Sequence, residues 1–181
     1  KHFLAQFNIP VGGYVASIGE VAADFGDMPY EERFQRAEES DVRCPDPTSA
    51  QKMRDEIEKA IHGKNTLGGV IETVALNLPV GLGSFVQWDK RLEAKLAMAV
   101  MSVQAIKGVE VGDAFENARR LGTLAHDPIN LQPSASDLQR ATNRAGGTEG
   151  GISNGQPIVI RAAMKPIATT LTPQLTVDLA T

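Results

Sequence analysis

Apolar positions recur three and four apart in some stretches of this chain and alternate or cluster in others; these two periods predict its elements. Ala50, Met53, Ile57 and Ile61 fall on one helical face. Asp46-Pro47 supplies an N-cap and a first-turn proline, and Gly63 supplies the stop. Its outer face offers Lys52/Glu56, Arg54/Glu58 and Asp55/Lys59 at a spacing of four, a wet surface worth a few tenths of a kcal/mol per pair. A second helix is predicted over 89–103, with Leu92, Leu96, Ala99, Val100 and Val103 on one face. Ala94, Ala97, Met98 and Met101 make its second half apolar all round, so burial is expected there on every side, with the methionines as core filler. Strands are predicted at Val11 to Ile18, Gly68 to Leu78, 104–112, 157–164 and 171–179, from β-branched content and sharp Gly or Pro ends. A short helix is expected from Asp113 to Leu121. Residues 20–41 carry eight acidic residues against two arginines and few large apolar groups, which reads as a solvated loop or short surface helices. Residues 122–145 show no period and read as a long loop, the most irregular internal segment. Helices alternating with strands imply layered packing of a sheet against helices.

Composition narrows the class. The 181 residues are 42% hydrophobic and 22% charged, as in a folded globular domain. A net charge of −4 argues against general affinity for nucleic acid or anionic membrane. The single cysteine, Cys44, excludes an internal disulfide framework and fits a reducing cytoplasm. No apolar run reaches transmembrane length, and no signal peptide is evident. The chain opens on Lys1-His2-Phe3-Leu4 as though inside a helix and closes on Leu179-Ala180-Thr181 after a strand-like segment, so it reads as a piece of a longer protein.

The catalytic vocabulary is sparse. His2, His62 and His126 lack metal-site spacing; His62 closes a helix, where a cation suits the dipole, and His126 reads as a surface residue. Cys44 has no histidine placed locally to activate it. Residues 146–170, "GGTEGGISNGQPIVIRAAMKPIATT", are different, with five glycines in the first ten positions. They form neither a Walker loop nor a G-x-G-x-x-G turn opening a helix, because Pro157 and an apolar β-branched run follow. Between Arg140 and Lys165 the cations are Arg140, Arg144, Arg161 and Lys165 against Glu149 alone. Glycine turns beside such cations suit an anion or a ligand that approaches the backbone closely.

That segment, with "RATNRAGG" before it and "QAIKGVEVGDAF", "GGVIETVALNLPVGLGSFVQWDKRLEAKLAMAVMS" and "RCPDP" upstream, closely resembles the chorismate synthase family, in the same order along essentially the whole chain. The resemblance makes the chain, residues 1–181, the central portion of one domain. It would begin just beyond the family's G-G-R-x-S-A-R-E-T region and stop before its G-R-H-D-P segment. It implies an α+β fold, the family's layered β-α-β sandwich, incomplete here, in a cytoplasmic homotetramer.

The activity implied is the lyase step of the shikimate pathway, toward aromatic amino acids: 5-enolpyruvylshikimate 3-phosphate loses phosphate and a ring proton to give chorismate. The cofactor implied is reduced FMN (FMNH2), with NADPH the reductant in those members that reduce their own flavin. Flavin contacts carry over onto Gln104 and Ala105, onto Gly150, and onto the turn Lys165, Pro166, Ile167, Ala168 and Thr169. Gly150 would allow close approach, Pro166 would stiffen the turn, Lys165 would bring charge to the anionic reduced ring, and Thr169 would donate a hydrogen bond. No catalytic role passes to His2, His62 or His126, since the family's catalytic histidines and substrate arginines fall outside these residues, and the fragment alone is expected to be inactive. The rival reading is a non-catalytic flavin- or phosphate-binding or assembly module. The arginine-rich segment before Lys1 and G-R-H-D-P after Thr181 in the reading frame would discriminate the two.

Overall fold

The β-branched clusters become strands that pair into one sheet. In the computed structural model of this chain, residues 2–131, 138–175 and 177 are described. The long strands are β1 (Val11–Ile18), β3 (Gly69–Ala75), β4 (Ile106–Val111) and β9 (Ile158–Met164), and β2 (Val21–Ala22) is a short edge. They form a five-stranded sheet in the order β2-β1-β3-β9-β4, every neighbouring pair antiparallel. Of the strand predictions, that at 157–164 begins one residue late and that at 68–78 is trimmed to Gly69–Ala75. Antiparallel register fixes which residues share a face. Tyr14, Glu72, Arg161 and Glu110 stand opposite one another in a row across four strands, and Val15, Ile71, Ala162 and Val109 form the adjacent row on the other face.

After a one-turn α1 (His2–Ala5) ahead of β1, helix α2 (Tyr30–Glu39) closes the first face. Ala37 is fully buried with Tyr14, Val74, Leu76 and Val159, and Phe25, Tyr30 and Phe34 pack against them. The polar row is neutralised within this core. The Tyr14 hydroxyl donates to Glu72, Arg33 donates to the Tyr14 oxygen at 3.0 Å, and Arg161 Nε donates to Glu72 at 2.7 Å. The Arg33 guanidinium also lies over the Tyr30 and Phe25 rings, 4.9 Å from each centroid. Burial, then the Glu72 carboxylate, pushes the Tyr14 hydroxyl far above its ordinary range.

Of the two alternatives expected for residues 20–41, a short surface helix forms, but it is not solvated all round. The segment holds a ten-residue helix whose Tyr30, Phe34 and Ala37 face the core. Those positions are four and three apart, a helical signal that the acidic residues around them hide.

Helix α3 (Pro47–His62) covers the second core. Asp46 accepts the Ser49 N–H at 2.7 Å, Pro47 sits in the first turn, and Gly63 N–H donates to Lys59 O at 2.8 Å, as the capping signals predict. Met53 and Ala50 are buried with Cys44, against Val15 and Ile18. Ile61 is exposed, against expectation, where it lines an open apolar groove with Ile57 and Ile71. The surface charges also pair differently: Lys59 bonds Glu56, and Arg54 bonds Asp41 and Gln51.

A 3-10 turn (Trp88–Lys90) leads into helix α4 (Leu92–Met101), which rests on β4. Here the burial expectation fails. Leu92, Leu96 and Val100 are only half-buried, Met98 is 69% exposed, and Val103 lies beyond the helix end with 57% exposed. One side of α4 packs, and nothing among the described residues covers the other.

The predicted loop 122–145 holds two short pieces after α5 (Ala114–Asn117): the one-turn α6 (Gly122–Ala125) and a hairpin of β5 (Ile129–Leu131) with β6 (Leu138–Arg140). Residues 132–137 lie outside the described residues. The strand expected at 171–179 does not form over 171–175 or at 177, and its remaining positions are likewise outside them.

Candidate functional site

Two of the three residue groups singled out by the sequence meet at one end of the sheet. After α4 the chain tightens through Val103, whose carbonyl accepts the Ile106 N–H, and Ala105 takes a φ of +71°. A left-handed alanine is strained, and such strain collects at functional positions. The Ala105 carbonyl accepts the Lys165 N–H at 3.0 Å, which ties the Gln104–Ala105 corner to the turn that follows β9. That turn is anchored from behind: Thr66 donates its hydroxyl to Ile167 O at 2.7 Å, and Ala168 O accepts from Thr170 N–H. Ile167 turns toward an apolar groove of about 380 Å³ shared with Ile57, Ile61, Ile71 and Met164. Gln104 and all of Lys165, Pro166, Ile167, Ala168 and Thr169 are exposed.

Gly150 lies elsewhere. It is the first residue of the two-residue turn between β7 (Thr148–Glu149) and β8 (Ile152–Ser153). Gly150 and Gly151 have φ of +62° and +95°, the signs a type I′ hairpin turn requires, so glycine is demanded at both by backbone alone. Their surroundings differ. A Cβ on Gly151 would strike the Ser84 carbonyl, and one on Gly147 the Pro157 carbonyl, whereas one on Gly150 meets nothing within 4 Å. Most of the glycine density therefore serves backbone packing inside the chain. Gly150 alone of these three leaves room for something else.

The hairpin is tied to α4. Gly151 O accepts N–H groups from Leu92 at 2.8 Å and Ser84 at 3.2 Å, so its backbone caps a helix start that has no side-chain cap. Ser153 is fully buried and bridges Pro79 O and Leu82 N–H. Gly150 thus stands beside the first turn of α4, and the Ala105–Lys165 corner stands beside its last. A ten-residue helix sets them about 15 Å apart.

The cation cluster read from the sequence does not survive folding as a free anion site. Arg140 is paired with Glu149, Arg161 with Glu72 and Glu110, and the Arg144 side chain donates to Leu124 O. Lys165 is exposed, with no ion-pair partner among the described residues. Sequence reasoning missed Asp127, which holds the "RATNRAGG" turn by accepting from Thr142 and from the N–H groups of Arg144 (2.8 Å) and Ala145 (2.9 Å). Burial opposes its charge, but those donors outweigh burial and hold the carboxyl below its ordinary range. Its signal was a lone acidic residue before Pro128, which reads as any loop.

His62 Nδ1 lies 2.9 Å from Glu58 O on the surface, and Cys44 is buried, which raises its thiol. Among the described residues no group of His, Cys, Asp and Glu could hold a metal ion, and no helix is long and apolar enough to cross a membrane.

Comparison with known proteins bears on all of these residues. The chorismate synthase family profile matches residues 1–181. The chain is 50% identical over its whole length to chorismate synthase of Syntrophotalea carbinolica, covering 46% of that protein, and 51% identical to that of Mycobacterium marinum, covering 44%. A solved structure titled as the crystal structure of chorismate synthase superposes with a TM-score of 0.85 at 44% identity, covering 92% of this chain and 52% of that one. The chain thus spans about half the length of the relatives it matches. Its mixed fold with an antiparallel sheet is that of the chorismate synthase neighbour.

Proposed function

Because this chain belongs to the chorismate synthase family, we propose that it is the central, flavin-facing portion of an enzyme that converts 5-enolpyruvylshikimate 3-phosphate to chorismate and phosphate. The observation that carries the reading is the bond from Lys165 N–H to Ala105 O, which joins two separate family motifs into one exposed corner. The residues fit reduced FMN. Gly150 has open space where a side chain would stand, the corner is solvent-facing, and Lys165 has a free charge for an anionic ring or phosphate.

Bound reduced flavin would supply electron density to the substrate as its phosphate departs, and a base for the proton. The chain's own residues would hold and orient it. Pro166 fixes the backbone direction of the turn, so the groups after it meet the ligand in one geometry. Thr169 would donate through its hydroxyl, Gln104 through its amide, and Ala168 and Ile167 would present backbone groups. Catalytic histidines and substrate arginines belong to the rest of the enzyme, so the 181-residue chain alone should bind flavin weakly and turn over no substrate. The complete enzyme is, in this reading, a cytoplasmic homotetramer that uses its flavin in the reduced form.

FMN titration of the full-length enzyme, oxidised and reduced, tests the reading. Lys165→Ala should weaken reduced FMN more than oxidised, because the reduced ring carries the extra charge. Equal losses in both states would assign the lysine to the flavin phosphate or to the fold.

A further inference from the structure

The geometry points to Arg140 as a positioning residue for the Gly150 turn, a reading that rests on the flavin site proposed above. The β7–β8 hairpin is two residues a side, too short to fix its own place, since even longer isolated hairpins are marginal in water. Its position is imposed from outside. On one side stand the backbone bonds to Ser84 and Leu92. On the other stands Arg140, whose Nη2 donates to the Glu149 carboxylate and whose Nη1 donates to Asn154 O at 3.2 Å. Glu149 immediately precedes Gly150, and Asn154 follows the return strand. The Asn154 amide also donates to Glu149 at 3.1 Å. The guanidinium fork therefore clamps the two ends of the turn to each other and to β6.

Stability alone does not explain an arginine here. Its side chain is 20% exposed, and its Nε is buried with no hydrogen-bond partner among the described residues. An ion pair whose carboxylate is 46% exposed contributes little, and the unsatisfied N–H is a cost, so for stability alone an apolar residue of similar volume would serve as well. A planar fork that reaches two acceptors in fixed directions is what an apolar residue, or a lysine, cannot reproduce. Among the described residues Arg140 bonds Glu149 and Asn154 and makes no hydrogen bond to Gly150. It acts through Glu149 and Asn154.

The test uses the full-length enzyme that carries this chain, with FMN affinity, the visible spectrum of bound FMN and the thermal midpoint read in parallel. R140M should weaken FMN by about tenfold or more, as removal of outer groups that orient direct ligand contacts does, and should shift the bound-flavin spectrum. Its midpoint should stay level or rise. R140K should recover part of the affinity, because it keeps the charge toward Glu149 but loses the fork. If R140M does not fold, E149Q carries the test: it leaves the arginine in place and should weaken FMN in the same direction. FMN affinity within about twofold of the unmodified enzyme in R140M, or in E149Q where that variant stands in, overturns the positioning role alone. An unmodified enzyme that binds no FMN overturns the flavin reading and this one with it.

Discussion

The two ends of the sheet obey the same local rules and end up in opposite conditions. At the β1–β3 end, α2 and α3 close over both faces; Tyr14, Ala37, Met53 and Val74 have at most 1% of their surface exposed. At the β4 end, α4, α5, the 80–88 loop and the β5–β6 hairpin leave large apolar groups in the open, among them Phe85, Trp88, Met98, Phe115 and Leu138. Apolar content does not separate the two ends. What separates them is cover: described residues close the first end, and none of the described residues closes the second. An apolar pattern specifies that a face will be covered, and says nothing of which chain segment covers it.

The largest expected effect tests the closed end. Glu72 is 3% exposed and accepts from Tyr14 and Arg161, with Arg33 alongside. Glu72→Ala would leave two guanidinium groups and a hydroxyl around an empty acceptor site, at a cost of about 3–5 kcal/mol. Urea unfolding of the chain measures it. A loss below about 1 kcal/mol would show that water replaces the carboxylate and that this end is not closed.

The next prediction sets the two ends side by side with one substitution. Met53→Ala removes a side chain with no exposure and should cost about 2–5 kcal/mol, whereas Met98→Ala, at 69% exposure, should stay within about 0.5 kcal/mol in this chain. In the full-length enzyme the Met98 cost should climb toward the Met53 value if the additional half of the protein covers α4. Equal small costs for Met98 in both forms would make that face a true surface.

What was legible in the sequence follows the same divide. Helix α3 was readable to its caps, since Asp46, Pro47 and Gly63 are local chemistry. The long strands were readable from β-branched runs with Gly or Pro ends. Helix α2 was hidden because its Tyr30, Phe34 and Ala37 stripe is short and set among acids. In the candidate site, the "KPIAT" turn and the glycines were visible as motifs. Their spacing along α4, the Lys165–Ala105 bond, and the internal pairing of Arg140, Arg144 and Arg161 depend on long-range register, which no local pattern encodes. The glycines carried two meanings at once, and only the three-dimensional neighbours separate Gly151 and Gly147, packed on backbone, from Gly150, which is open.

The smallest effect compares two carboxylates that do the same job at the two ends. Asp46 caps α3 and Asp127 caps the 142–145 turn, and both are held below the ordinary carboxylate range. For Asp46 the cause is hydrogen bonding from Ser49; for Asp127, burial pulls the other way and the Thr142, Ala145 and Arg144 donors prevail. Because the folded value is lowered, each contributes stability that is complete above the unfolded value near about 4 and is lost as pH falls through the folded value. Asp46→Ala should cost about 1 kcal/mol at neutral pH and fray the start of α3. Asp127→Asn keeps an acceptor oxygen, so its global cost should be smaller, and its signature should be local: faster amide exchange at Arg144 and Ala145, two of the groups it holds. In acid the unmodified chain should show the same local opening below about pH 4, and Asp127→Asn should show it already at neutral pH with no further change on acidification. Exchange at Arg144 and Ala145 that stays protected in the variant would mean that the turn is held by the Arg144 contacts to α6 and the following loop, and that Asp127 follows the turn instead of fixing it.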